Sequence, residues 1–271
     1  MTWWCSATGV AWTGEWRAYP GVWIFLAILA ALYWRLGRSR SADQSVADRY
    51  FAVGLVVGWL ALDWPLGALG GYLAAAHTGQ FILLALTAPA FLLLGLAPAL
   101  RDDRRAPRRW IRFLAQPLPA FAGFNLIMLA THVPAVVDTL MASQLGSLAI
   151  DLGWLLAGCF LWWPVTAPAA YRRMAPPLQM GYLFIQTLPA ILPAATLVFG
   201  SYPLYRLYEL APRVTDLLTP EYDHQVAGLL MKVVGDPVVW VGIAVIFFRW
   251  SNAERRADRE RSAIPTPGKV S

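Results

Sequence analysis

The stretch HTGQFILLALTAPAFLLLGLAPALRDDRRAPRRWIRF, residues 77–113, joins a long apolar run to six arginines: Arg101, Arg104, Arg105, Arg108, Arg109 and Arg112. An apolar run of about 20 residues rises far enough as a helix to cross roughly 30 Å of hydrocarbon. Arginines packed against the end of a span hold that end on the cytoplasmic side. This stretch therefore predicts a transmembrane helix and also its direction. Six more runs read the same way, at 20–36, 51–69, 115–136, 145–167, 179–200 and 230–250. They are continuous rather than alternating, which favours helices over the strands of a membrane barrel. The expectation is an all-α polytopic membrane protein with seven transmembrane helices.

The remaining basic residues repeat the signal in alternate loops. Arg35, Arg38, Arg40 and Arg49 follow the first run, Arg172 and Arg173 the fifth, and Arg249, Arg255, Arg256, Arg259, Arg261 and Lys269 the seventh. Only Arg17, Arg206, Arg213 and Lys232 fall on the other side. This asymmetry puts the N-terminus outside and the C-terminus in the cytoplasm, in a cell (plasma or inner) membrane. Residues 1–19 then form an outer segment and residues 20–250 the membrane domain. Residues 251–271 form a basic tail, expected to be disordered because it is charged, contains two prolines and has no apolar period. Met1 to Pro20 lacks the basic stretch of a cleaved signal peptide, so the first run is expected to stay in the membrane.

The composition agrees. Of 271 residues 58% are hydrophobic and only 14% charged, where a soluble domain carries about 25% charged residues. The net charge of +6 sits in loops beside apolar runs and serves topology, so no nucleic-acid partner is expected. Fourteen tryptophans supply interfacial rings. Trp3, Trp4, Trp12, Trp16 and Trp23, with Tyr202, Tyr205 and Tyr208, are expected at the outer interface; Trp110, Trp162 and Trp163 at the inner one. Cys5 and Cys159 are too few and too far apart for a recognisable redox or metal motif. The chain has no P-loop, HExxH, GxSxG or CxxCH, so nothing in it points to nucleotide use, hydrolysis or covalent haem.

Ionisable groups at membrane depth are costly, about 2.5–3.5 kcal/mol each on insertion scales, and so mark candidate sites. The assigned orientation places His77, His132 and His224 on the outer side, each on a different segment. Asp151 lies about 9 Å into the fifth run at 1.5 Å per residue, Asp63 in the outer half of the second, and Asp223 beside His224. Imidazole and carboxylate suit copper, zinc or iron, and thioether suits cuprous copper. Met128 stands one helical turn before His132, and Met231 seven residues after His224; each is either a ligand or core filling. The candidate metal set is thus His77, His132, Asp151, Asp223, His224, Met128 and Met231. Lys232 and Asp236, spaced i,i+4, read as a self-neutralising pair. Gln80 and Gln186 add hydrogen-bonding groups, and prolines at 89, 98, 134, 164, 189, 193 and 237 bend or end nearly every run.

Four blocks in order carry a family resemblance. HTGQFILLALTAPAFLLLGLAP (His77 to Pro98), THVPAVVDTLMAS (Thr131 to Ser143), GWLLAGCFLWWPV (Gly153 to Val165) and DHQVAGLLMKVVG (Asp223 to Gly235) resemble the seven-helix CtaG family, assembly factors for haem-copper cytochrome c oxidases. The resemblance runs from about Tyr19 to Trp250. It implies a non-enzymatic membrane factor that matures an oxidase, with copper handled on the outer face and an oxidase subunit or another copper-handling protein as partner. His77, Gln80, His132, Asp138, Asp223, Gln225 and Met231 occupy matching positions. Phe81 stands where the family has the second histidine of His-x-x-x-His, and Ile150-Asp151 where it often has Glu-His. His224 replaces a glutamine and Lys232 a tryptophan. Loss of the i,i+4 imidazole depletes any inherited copper site, with Asp151 and His224 as candidate replacements. A small-molecule carrier using Asp63, Asp151 and His77, or a scaffold that has lost its metal site, are the alternatives.

Overall fold

A computed structural model of the chain describes residues 2–37, 44–98, 112–113, 116–168 and 174–263. The basic residues Arg38, Arg40, Arg101, Arg104, Arg105, Arg108, Arg109, Arg172, Arg173 and Lys269, and Trp110, lie outside the described residues. The protein is all-helical, at 75% helix, with no strand among the described residues. Among the described residues five helices are long and apolar enough to cross a membrane: Gln44–Leu62, Ala74–Leu96, Gln144–Thr166, Pro176–Phe199 and Pro220–Ser262. A bent pair, Pro117–Ala130 and Pro134–Leu140, raises the number to six if it counts as one span.

Seven full spans are therefore not what the geometry shows. The fourth run is broken at Thr131 to Val133, where the two pieces meet at 71°. Pro134 has no N–H to continue the ladder and disfavours helical backbone at the residue before it. The carbonyls freed there are recaptured locally. The Thr131 hydroxyl donates to Ile127 O and Met128 O, and His132 Nδ1 lies 2.7 Å from Met128 O. The first run yields only a shorter apolar helix, Pro20–Arg35. It is tied to the Gln44–Leu62 helix by Asp63, which accepts the indole N–H of Trp23 at 2.8 Å and of Trp59 at 2.7 Å. Asp63 is thus a structural joint between these two helices.

The last helix is longer than expected. Its Pro220–Leu230 and Asp236–Ala263 sections are continuous through a π-helical turn at Met231–Gly235, so residues 251–263, assigned to a tail without regular structure, are helical. Alanine, arginine and glutamate there are strong helix formers. Arg255 donates to Asn252 Oδ1 at 3.1 Å one turn back.

The helix Ala74–Leu96 is central, with 61% of its apolar window buried against 17% for Pro220–Ser262. It packs on Gln44–Leu62, Gln144–Thr166 and Pro220–Leu230. Lipid tails are as apolar as leucine, so helices in a bilayer adhere by close approach rather than by the hydrophobic effect. Small residues allow that approach here. Gly158 lies directly on Ala85 O and Pro89, Gly95 on Phe51, and Gly54 on Leu92. Gly158→Leu is expected to destabilise the fold by about 1–3 kcal/mol through overpacking. Gly181→Leu, at a glycine with nothing within 4 Å, is expected to change little; thermal unfolding in detergent reads the difference.

Candidate functional site

One end of the bundle gathers the polar side chains. The start of Ala74–Leu96 contributes His77, Gln80 and Phe81. The break after Ala130 contributes His132, and Gln144–Thr166 contributes Asp151 and Trp154. The segment 200–219, with its short helix Arg206–Glu209, inserts Tyr205 and Tyr208, and the start of Pro220–Leu230 brings Asp223 and His224. Trp4 and Cys5 enter from the N-terminal segment.

Asp223 and His224 are engaged in holding the fold. The Asp223 carboxylate accepts the backbone N–H of Ala74 at 2.6 Å and of Ala75 at 3.0 Å. It thereby caps the helix that carries His77, whose first amides have no partner within their own helix. His224 Nε2 accepts the Tyr205 N–H at 3.1 Å, which makes Nδ1 the protonated nitrogen, donating to Pro220 O at 2.7 Å. Both ring nitrogens are thus used. Asp138 plays a similar part, accepting the Leu207 N–H at 3.0 Å.

His77 and His132 lie in an aromatic nest. The His77 ring centre is 4.6 Å from Trp154 and 5.9 Å from Tyr208. Phe81 stands between Trp154 at 5.4 Å and His132 at 5.2 Å, so the ring found where a second histidine was looked for is packed against an imidazole of another helix. His77 Nδ1 lies 3.3 Å from Gln80 Oε1, while its Nε2 is buried with no hydrogen-bond partner. Tyr208 donates to Gly70 O at 2.9 Å and Tyr205 to His132 O at 3.3 Å. Burial pushes both phenols upward, so they remain neutral donors.

The N-terminal segment closes this end. Trp4 and Cys5 are 1% and 2% exposed, where an interfacial ring and an outer tail were expected. The Trp4 indole donates to Asp151 Oδ2 at 2.8 Å, and Gln144 Oε1 accepts the backbone N–H of Trp3 and Trp4 at 2.8 and 3.1 Å. Ala7 N–H bonds Met141 O at 3.0 Å. Gln80 Nε2 donates to Ala61 O at 3.0 Å and approaches Cys5 Sγ at 3.9 Å. Burial, with the nearby Asp151 carboxylate adding to it, pushes the Cys5 thiol well above its ordinary range. The structural parts of Trp4, Trp154, Tyr205, Tyr208 and Gln144 were not read from sequence. The available signal was the Trp3-Trp4-Cys5 triplet, too apolar for a solvated tail.

A model of the cytochrome c oxidase caa3 assembly factor family matches residues 23–253. The chain belongs to that family. No curated protein and no solved structure matches the chain significantly. Within the caa3 assembly-factor frame, the seven candidate ligands fall into different settings. Asp223 and His224 are taken by backbone groups, and Asp151 by Trp4. Met128 and Met231 are core side chains at 0% and 2% exposure, Met231 lining a recess with Phe81, Gln186 and Asp236. Among the described residues no group of three or more His, Cys, Asp or Glu is placed to hold a metal ion. These residues do not fit a resident copper centre.

Two outcomes are expected. Asp223→Ala and His224→Ala each strand buried amides, at about 1–3 kcal/mol per group, and should lower the unfolding temperature more than His77→Phe, which removes one unpartnered nitrogen and a single 3.3 Å contact with Gln80 Oε1. Cys5 should stay protonated at neutral pH and resist a water-soluble maleimide. Mass spectrometry should show its labelling accelerated by Trp4→Ala far more than by a rise from pH 7 to 8.

Proposed function

We propose that the protein is a non-enzymatic membrane factor for assembly of a haem-copper cytochrome c oxidase, acting in the cell membrane by engaging an oxidase subunit at the end where His77, His132 and Tyr208 lie. The family match across residues 23–253 carries this reading, because it reaches into every helix of the bundle. The chain crosses the membrane with its N-terminus outside and its last helix ending in the cytoplasm. The arginine distribution supports that orientation, since alternate loops hold nearly all the cations. The seven apolar runs are then completed as crossings by the short Pro20–Arg35 helix and the bent pair.

This reading assigns the site a holding role. Its polar groups are mostly paired and its rings, Phe81, Trp154 and Tyr208, are buried, so the nest holds the shape of the end that a partner chain would meet. A second reading, transfer of copper as cargo, has one observation in its favour: the buried, unpartnered Nε2 of His77, with His132 across the Phe81 ring.

A strain lacking the protein is expected to lose cytochrome c oxidase activity, measured by oxygen uptake on reduced cytochrome c, and to regain it with the intact chain. Under the proposal added copper does not restore activity, and a His77→Phe/His132→Phe chain, which keeps an aromatic nest, still complements. Rescue by copper together with failure of that variant establishes the second reading instead. Unchanged oxidase activity in the deletion strain removes both.

A further inference from the structure

The end of the bundle that the oxidase reading gives to a partner is occupied by the chain itself. Residues 3–7 enter it outside any helix or strand, in a groove between the start of the first helix, the start of Gln144–Thr166 and the turn at Gly70 to Tyr72. Their backbone is seated by hydrogen bonds from residues far along the chain. Gln144 Oε1 accepts the N–H of Trp3 and of Trp4, Gly21 N–H donates to Trp3 O at 2.9 Å, and Ala7 N–H donates to Met141 O at 3.0 Å. Glycines clear the path: a Cβ at Gly21 would collide with the ring and carbonyl of Trp3, and one at Gly71 with Ser6 O. The groove is shaped to an extended peptide.

Its contacts define what it can hold. Acceptors for N–H groups and a donor for a carbonyl recognise the main chain of any extended segment, so selection falls to the side chains. Trp4 fills a slot beside Phe25, with ring centroids 6.0 Å apart, and gives its indole N–H to Asp151. A buried carboxylate without a donor is costly, so Asp151 is satisfied by a filled groove. Cys5 follows between Gln80 and the Ser147 hydroxyl, which lies within hydrogen-bonding reach of its thiol. Both of these neighbours are buried, which leaves the position to a small side chain. The occupant is therefore an indole followed by a small residue on an extended backbone.

Residues 9–16 connect this inserted segment to the first helix. They carry no regular structure and are exposed apart from Trp12; the Tyr72 hydroxyl, which donates to Val10 O at 2.9 Å, and the Trp12 ring against Tyr72 hold them to the body. The inserted segment is thus a ligand on a short leash, present at an effective concentration on the order of millimolar, which a partner docked alongside matches. While seated, it covers Gln80 and Asp151 and closes the end of the bundle. Building on the oxidase-assembly reading, we infer that this groove is the docking site for an extended segment of the partner subunit, bearing a tryptophan followed by a small residue. Residues 3–7 fill it as a displaceable occupant until that segment arrives.

Two measurements on the full chain test this. In the deletion strain, Ser147→Cys is expected to bond Cys5 and lock the segment in place, the bond being verified by mass spectrometry. The locked chain should fail to restore oxidase activity, while Ser147→Ala and Ser147→Cys/Cys5→Ala restore it. A locked chain that complements overturns the inference and leaves the oxidase reading standing; a deletion strain with no oxidase defect overturns that reading, and the second measurement then decides the groove by itself. In nanodiscs, a fluorescent peptide of residues 2–8 carrying Cys5→Ser is titrated against the chain and read by anisotropy, with a Trp3→Ala/Trp4→Ala peptide as control. Saturable binding is expected to Trp3→Ser/Trp4→Ser, whose groove is vacated, binding at least about tenfold weaker to the unsubstituted chain, where the tethered segment competes, and none to oxidised Ser147→Cys. Absence of saturable binding to the folded double variant, or equal binding to the locked chain, overturns the inference. Complementation by the locked chain decides if the double variant does not fold.

Discussion

The contact on which the arrangement of this bundle most depends is the Asp223 carboxylate across the two free amides at the start of the Ala74–Leu96 helix. A helix that begins inside a bundle leaves N–H groups that water does not reach. Here a side chain from a helix almost 150 residues later in sequence supplies the acceptor. The contact fixes the depth of the central helix against the last one, and with it the heights of His77, Gln80 and Phe81. His224, adjacent to Asp223, then orders the Tyr205 backbone, and Tyr208 is carried into position beside His77.

The same rule explains why so many residues that looked like ligands are bound to the protein itself. In hydrocarbon every polar group seeks an internal partner. Asp63 takes two indoles, Asp151 takes Trp4, Asp138 takes Leu207 N–H, and His224 uses both its nitrogens. A carboxylate engaged by two N–H donors is a poor candidate for a metal, because binding the metal would strand those donors. Tryptophan is the usual donor because its ring is apolar while its N–H is strong. The abundance of tryptophan thus reflects interior hydrogen bonding as well as interfaces.

The closed end is also more elaborate than a set of loops between spans. The N-terminal segment lies across it with Trp4 and Cys5 inside, and the 200–219 segment supplies two buried tyrosines. Neither segment has a helical period, and both are held by contacts with residues distant in sequence, such as Ala7 N–H to Met141 O.

Apolar runs and flanking arginines were enough to read a helical membrane protein, because span length and charge asymmetry are one-dimensional properties of the chain. Four ordered motif blocks were enough to read its family. What each group does was decided by the tertiary structure. Whether His224 is a ligand or an acceptor for Tyr205 depends on a residue that folding brings to it. Whether the fourth run is one crossing or two pieces at 71° depends on how Thr131 and His132 recapture carbonyls around Pro134. Hydrophobicity sets which segments leave water; the pairing of the few polar groups that go with them is a problem of three-dimensional geometry, and only the packed bundle solves it.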